Sequence, residues 1–461
     1  MNEAAPRSDG TSVAEPEPVR AEPATGLLDL EATDIGSVFV SNYPPYSAWN
    51  EAAVPEAFAA LDRAPASGTS LGLYIHIPFC RKRCKFCYFR VYIDKNHEQI
   101  GRYLDALGAE LERYAARAAV EGRSLDFVYF GGGTPSYIAA KQLIPLAERL
   151  QGVIPWDGAE EVAFECEPGT LTQSKLEAIR SIGVTRLSLG VENFDDGILQ
   201  ENGRAHVSKE IYRVRDWIRA QEFRQLNVDL IAGMVGETWE SWKRTVDLTI
   251  EYDPDSITLY QMELPFNTVY SKAKLRGEED VPPFADWRTK REWHAYAFEQ
   301  FERAGFERWS AYTMMRRDRG CKFVYAREVW SGADMIPIGV SSFGHMGGVH
   351  MQNHDRWDGY LAAVDAGGLA TRRALVTTER ERLTREVILQ LKRGWLERGA
   401  FERRFGVDVV EDYAEAFGSL TEQGLATVGQ DRVELSEGGL LRVDQLLPRF
   451  YDEQYRGARY T

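Results

Sequence analysis

From Leu71 onward, short runs rich in β-branched and aromatic residues alternate with longer stretches whose apolar positions recur every three or four residues. LGLYIHIPF (71–79), DFVYFGG (126–132), EVAFECEP (161–168), TRLSLGV (185–191), LNVDLIAG (226–233) and DSITLYQMEL (255–264) predict strands. HEQIGRYLDALGAELERYAARA (97–118) and stretches near 139–151, 172–182, 208–222 and 238–252 predict the helices between them. Strands separated by helices need right-handed crossovers, so an α/β fold with a parallel sheet is expected. Periodicity alone leaves an open doubly wound sheet and a barrel both possible. After about residue 375 the pattern becomes compact helices followed by VELS and a last helix, the outline of a small α+β winged-helix module.

Upstream of the strands the pattern fades. Residues 1–26 are rich in Pro, Ala and Glu and carry few large apolar side chains, so they are expected to form a disordered tail. Residues 27–70 hold the aromatic segment SVFVSNYPPYSAW and read as an extension that packs on the body. The body is assigned to 71–370 and the C-terminal module to 371–461. Across 461 residues the 55 basic and 70 acidic side chains leave a net charge of −15, which argues against a nucleic-acid partner. About half of that imbalance lies in residues 1–70, where 11 acidic residues face 3 basic ones. No apolar run is long enough to span a membrane and no secretory leader is evident, so a cytoplasmic location is expected.

Three of the five cysteines fall within eight residues. Cys80, Cys84 and Cys87 form C-x3-C-x2-C directly after the first strand, in YIHIPFCRKRCKFCYF. Thiolates are the ligands of iron–sulfur clusters, and three on one loop can hold three irons of a cubane while leaving the fourth free of protein. Structural zinc wants four ligands and a different spacing. Arg81, Lys82, Arg83 and Lys85 are expected to offset the anionic cluster and lower the thiol pKa values. Cys166 and Cys321 are too few for a second cluster.

With GGGTP following the second strand, this spacing resembles the radical S-adenosylmethionine superfamily. YIHIPFC and GGGTPS are similar to its oxygen-independent coproporphyrinogen III oxidase-like subfamily, over residues from about 71 to 445. The resemblance implies a partial (β/α)6 TIM-like barrel with a [4Fe–4S] cluster on Cys80, Cys84 and Cys87 at its C-terminal mouth. It also implies two molecules of S-adenosylmethionine, the first cleaved to a 5′-deoxyadenosyl radical. An electron donor such as flavodoxin or ferredoxin would supply the electron.

The resemblance further implies roles for single residues. Gly132, Gly133 and Thr134 match the loop that meets the methionyl amino group. Glu165 in FECEP, Arg204 in NGRAH and Asp229 in NVDLIAG match cofactor-binding positions. Glu192 stands where the family has glutamine, replacing an amide with an acceptor-only carboxylate. Tyr74 also matches a subfamily position. Phe89 stands where true coproporphyrinogen III oxidases carry another cysteine, and is counted among the cofactor contacts. The His-Asn pair of the haem chaperones is absent. Members with C-x-F resemble class C methyltransferases, so transfer of a methyl-derived carbon (C-methylation or cyclopropanation) to a conjugated or aromatic small molecule is the reading this leaves. Oxidative decarboxylation of the coproporphyrinogen type and a haem chaperone are the alternatives. Trp239, Trp242, Tyr260, Phe266, Trp309, Tyr312 and Trp330 are candidate cavity aromatics. Glu263 and His345 are candidate catalytic proton acceptors.

Overall fold

The structure is a computed structural model that describes residues 33, 35–37, 39–278 and 282–458. The expected disordered tail, 1–26, lies outside the described residues. Six parallel strands form the frame: β1 (Leu71–Ile77), β2 (Phe127–Gly132), β3 (Glu161–Cys166), β4 (Arg186–Glu192), β5 (Gln225–Ala232) and β6 (Ser256–Gln261). Their helix-facing residues are apolar and fully buried, among them Leu73, Val128, Phe164, Leu187, Val228 and Leu259. Helices cross back between them. His97–Ala115 starts at a reciprocal cap, Asn96 accepting from the Gln99 amide while Gln99 accepts from that of Asn96. Trp239–Tyr252 starts on Thr238 with Ser241 in the same way.

The sheet does not stop at six strands. It holds twelve, in the order β12-β11-β10-β9-β1-β2-β3-β4-β5-β6-β8-β7. The additions are β7 (Phe306–Arg308), β8 (Thr313–Arg316), β9 (Asp334–Ile338), β10 (Phe343–Met346), β11 (Val349–Asn353) and β12 (Thr371–Val376). β9 runs parallel to β1, whereas β10 to β12 and β7 to β8 pair antiparallel. The result is a partial parallel barrel whose two edges continue as antiparallel flaps. Asn50 bridges to Ala374 on the far edge, covering an otherwise bare strand with the N-terminal segment.

Near the C-terminus the helices Glu379–Leu391, Arg398–Phe405 and Ala414–Glu422 pack with a three-stranded sheet of β13 (Trp395–Glu397), β14 (Ala426–Val428) and β15 (Arg432–Leu435). This hydrophobic cluster is separate from the barrel core, and Val40, Tyr43 and Tyr312 belong to it. A buried polar knot ties the parts together. Asp444 accepts from the Val40 amide at 2.9 Å and from Lys392 Nζ at 3.1 Å, and Tyr312 donates to its other oxygen. Lys392 is fully buried and also donates to the Val40 carbonyl. The N-terminal extension is thereby fastened between barrel and C-terminal elements. Among the described residues no helix is long and apolar enough to cross a membrane.

Candidate active site

The parallel strands deliver their C-terminal ends to one mouth, the face on which barrel enzymes carry their chemistry. Cys80, Cys84 and Cys87 sit there on the loop after β1, each partly buried and facing a cavity of about 390 Å³. Glu165, Glu192, Arg204, Asp229, Gly132, Gly133 and Thr134 line the same cavity. Ten site positions read from the sequence, spread over about 150 residues, therefore converge on one space.

Two side-chain donors reach the sulfurs. Thr134 Oγ1 lies 3.4 Å from Cys80 Sγ, and Arg204 Nη1 lies 3.5 Å from Cys84 Sγ. Arg204 also donates to the Gly190 carbonyl at 2.6 Å and stands 3.6 Å from Glu192, while its buried Nε has no partner among the described residues. Glu192 occupies the bulge where the β4–β5 register shifts, with φ at +66°. That left-handed conformation is costly for a side chain of this kind and is held by the surrounding strands. Burial raises the Glu192 carboxyl to about 7 despite the nearby guanidinium.

Glu165 accepts from Tyr129 Oη at 2.7 Å and from the Gly132 amide at 3.1 Å. Burial lifts it to about 7, with Tyr129 opposing the rise. Asp229 accepts from Ser188 at 2.9 Å and Asn227 at 2.8 Å, and burial raises it as well. Gly133 also has a packing role. A Cβ on Gly133 would lie 2.8 and 2.9 Å from the carbonyl oxygens of Ile77 and Phe79, so the missing side chain lets the loop close on the end of β1.

The cationic loop also needs correction. Burial pushes the Cys80 thiol up to about 11 and that of Cys87 to about 12, with Arg204 and Arg83 respectively only easing the rise. Arg81 and Lys85 are committed elsewhere, to Glu167 and Glu201 at 2.8 and 2.9 Å. Metal binding, which removes the proton outright, is what would make thiolates of these groups. Among the described residues no three His, Cys, Asp or Glu side chains converge on one ion position. Mononuclear zinc is therefore ill served, whereas in a cubane each thiolate takes a different iron. The donor set fits an iron–sulfur group. Three carboxylates and a guanidinium with an unmet N–H, all in the same cavity, fit a zwitterionic nucleoside ligand beside it.

Glu167 carries no sequence motif of its own, yet it organises the loop. Its carboxylate takes Arg81 at both oxygens (3.0 and 2.8 Å) and His206 Nδ1 at 3.0 Å. Burial alone would raise it, but His206 and Arg81 hold it down at about 2. Since Arg81 follows Cys80 directly, Glu167 anchors the ligand loop to the end of β3.

A second, larger cavity of about 1710 Å³ opens off the first, and Phe39, Tyr88, Phe89, Tyr129, Glu165 and Tyr260 border both. Aromatic walls continue through Tyr46, Phe323, Tyr325, Trp330 and Phe343 toward Arg372, Arg373 and Arg385. Phe89 stacks on Tyr88 with ring centres 4.5 Å apart, at the junction. Tyr74 faces this larger space, its hydroxyl 3.2 Å from His76 Nδ1, away from the cysteines. Of the aromatics expected to line a cavity, Tyr260, Tyr312 and Trp330 do so; Trp242 is buried core and Trp239 lies on the outer surface. Phe266 and Trp309 lie outside both linings.

The candidate proton acceptors part company. Glu263 borders the smaller cavity, its buried Oε2 lacking a hydrogen-bond partner among the described residues. Burial raises its carboxyl while lowering the amine of Lys290, its coupled neighbour. His345 sits on β10, four places along the sheet from β3, with its Nδ1 2.9 Å from that of His350. Burial holds it neutral and well below the usual histidine range, so it is a poor base in this position.

A partial parallel α/β barrel with three thiols at its mouth, beside a pocket that holds three carboxylates and a guanidinium, is the arrangement expected of a cluster-dependent radical enzyme. Residues 74–249 match the model of the radical SAM superfamily. The chain is 27% identical over 444 residues to an oxygen-independent coproporphyrinogen III oxidase of Pseudomonas aeruginosa, covering 90% of this chain and 93% of that one. It is 25% identical over 382 residues to a protein named heme chaperone HemW of Bacillus subtilis, covering 82% and 99%. The structure of coproporphyrinogen III oxidase (HemN) from Escherichia coli superposes with a TM-score of 0.77 at 23% identity, covering 89% of this chain and 96% of that one. Over residues 74–249 the chain matches the radical SAM superfamily, and its relatives along most of its length are of the coproporphyrinogen III oxidase-like type, a likeness that implies a [4Fe–4S] cluster and S-adenosylmethionine as cofactors.

Proposed function

We propose that this enzyme oxidises a large, conjugated, carboxylate-bearing small molecule, in the manner of an oxidative decarboxylase. One observation carries the reading. The 1710 Å³ cavity is lined by aromatics and by Arg372, Arg373 and Arg385, and it shares Tyr88, Phe89, Tyr129, Glu165 and Tyr260 with the cysteine pocket. Planar guanidiniums suit carboxylates, and aromatic faces suit a flat conjugated body. Relatives named oxygen-independent coproporphyrinogen III oxidase favour this reading, whereas others of similar coverage are named heme chaperone HemW.

When bound to Cys80, Cys84 and Cys87, the cluster with adenosylmethionine supplies one-electron chemistry and a hydrogen-abstracting radical. The chain's own residues bind and exclude water. Arg204 takes the cofactor carboxylate, Glu165 and Asp229 its amino or hydroxyl groups, and Glu192 balances the Arg204 charge. Arg372, Arg373 and Arg385 hold the substrate's acid groups at the far end. Residues 379–458 act as a lid, with Asp444 and its neighbours closing the cysteine pocket. Loss of carbon dioxide leaves an electron on the substrate, so an external acceptor is part of this reading.

Transfer of a methyl-derived carbon is the second reading, favoured by Phe89 in place of an oxidase-type cysteine. The smaller cavity also extends past Tyr260 and Glu263, where a second adenosylmethionine would lie. Anaerobic turnover with carboxylated tetrapyrroles separates the readings. Carbon dioxide and 5′-deoxyadenosine without S-adenosylhomocysteine support decarboxylation. Stoichiometric S-adenosylhomocysteine overturns it in favour of carbon transfer. Haem retained without adenosylmethionine cleavage favours a chaperone.

A further inference from the structure

The antiparallel flap beside β9 carries a histidine pair that no step above uses. β10 and β11 are joined by Gly347 and Gly348, both at positive φ, as a tight two-residue hairpin turn demands. That turn sets a register in which His345 lies directly opposite His350. Phe343 and His345 on one strand, with His350 and Gln352 on the other, line the larger cavity. Arg373 of β12 lies beside Gln352 on the same wall.

The hydrogen bonds decide which ring nitrogen carries each proton. His350 Nε2 stands 2.9 Å from the Tyr43 carbonyl, which can only accept, so this nitrogen bears the hydrogen. Trp49 stacks flat on the same ring, centres 5.0 Å apart, and fixes its orientation. Burial keeps His350 neutral, at about 3, so its Nδ1 is left as a lone pair. His345 Nδ1, 2.9 Å away, is then the donor. Burial keeps His345 neutral as well, which leaves its Nε2 an acceptor. That atom has no hydrogen-bond partner among the described residues, in a side chain only 8% exposed that lines the cavity. A buried acceptor left unmet is destabilising, and a donor on the ligand removes the deficit.

We propose that His345 Nε2 accepts a hydrogen bond from a ring N–H of the substrate, selecting a nitrogen heterocycle of the pyrrole type over other conjugated acids. This rests on the reading that the larger cavity holds the substrate, and adds the feature by which its ring system is recognised. Donors and acceptors run one way from substrate N–H through His345 and His350 to the Tyr43 carbonyl, and each bond polarises the next. His350 is thus a positioning residue. The charges around the ring favour a neutral donor over a metal ion: Arg382, Arg385 and Arg404 all act on His345 and repel a cation, while guanidiniums attract the substrate's acid groups.

Two measurements test this. Nitrogen-15 NMR of ring-labelled, full-length wild type reads the tautomers of the 7 histidines, with His345→Gln identifying the signal. His345 is expected to carry its proton on Nδ1 at pH ~7.5. A proton on Nε2 overturns the proposal. Calorimetry of the anaerobically reconstituted enzyme then compares a dipyrromethane dipropionate with its N,N′-dimethyl counterpart. Wild type should favour the N–H probe about 10-fold or more. His345→Phe should shrink that preference to about 2-fold or less, and His345→Gln, whose amide oxygen accepts, should keep most of it. A purely packing role would move both affinities together and leave their ratio unchanged. Equal affinities in wild type, or an unchanged ratio in His345→Phe, overturns the proposal alone. So does a zinc porphyrin whose absorption shifts on wild type but not on His345→Phe, since the ring is then a metal ligand. Failure of wild type to bind either probe instead overturns the reading of the cavity, and the tautomer measurement still tests His345 itself.

Discussion

Replacing Glu167 with glutamine tests how the cysteine loop is held. The carboxylate is 8% exposed and is kept at about 2, against an ordinary 4.5, by His206 and Arg81. A depression of about 2.5 units corresponds to about 3 kcal/mol of stability. Breaking charge-assisted hydrogen bonds of this sort gives a similar figure by a separate route, ~1.5–3 kcal/mol. A depressed carboxyl contributes fully above its unfolded value and loses its contribution as pH falls through the folded value. With His206 itself held neutral by burial at pH ~7.5, Arg81 is the charged partner there, so the Glu167→Gln protein should be less stable by about 2 kcal/mol, with the gap closing between pH ~4.5 and ~2 as first the unfolded and then the folded carboxyl protonates. Urea unfolding of both proteins under argon at a series of pH values measures this. Because Arg81 adjoins Cys80, iron retained after reconstitution should fall in parallel. Equal stability at pH ~7.5, within about 0.5 kcal/mol, would refute the claim that this carboxylate anchors the loop.

Tyr129→Phe removes the 2.7 Å bond to Glu165 and lets its pKa climb above about 7. Adenosylmethionine affinity by calorimetry should fall ~10-fold at pH ~7 and recover by pH ~9, where the carboxylate is again charged. Glu165→Gln should raise the thermal midpoint at pH ~8, because a buried carboxyl with a raised pKa destabilises the fold once pH exceeds its unfolded value, while adenosylmethionine binding is lost. Gly133→Ala forces a methyl against two carbonyl oxygens and should cost about 2 kcal/mol, read as a lower unfolding midpoint. Under the carbon-transfer reading, where a proton acceptor is needed after addition, Glu263→Gln should cut product formation ~100-fold with deoxyadenosine release maintained, measured by mass spectrometry of both products.

The parallel core was legible because each strand is buried on both faces and so reads as a continuous apolar run; LGLYIHI and FVYFGG match β1 and β2 to within two residues. The antiparallel flaps were not. β7 to β12 are three to six residues long, alternate weakly, and include a proline at 337 that masks β9. The long helix Trp287–Arg303 also passed unread, its apolar stripe broken by Lys290 and His294, both buried against the barrel. In the site, cysteines and strand-end carboxylates announce themselves by type and position. Tyr129, Glu167, His206 and Asp444 do not, because their partners lie 36 to 404 residues away and such pairings leave no local pattern. Burial misled the reading of charge as well. Four cations near three thiols suggested lowered pKa values, but two of the cations are spent on carboxylates and desolvation dominates the sulfurs.

Electron paramagnetic resonance of the anaerobically reconstituted, reduced protein, recorded before and after adding S-adenosylmethionine, bears most directly on the three-thiol centre. A [4Fe–4S]⁺ signal whose shape changes on addition, and that disappears in Cys84→Ala, is the expected result. A signal indifferent to the nucleoside, or one that persists without Cys84, would contradict it.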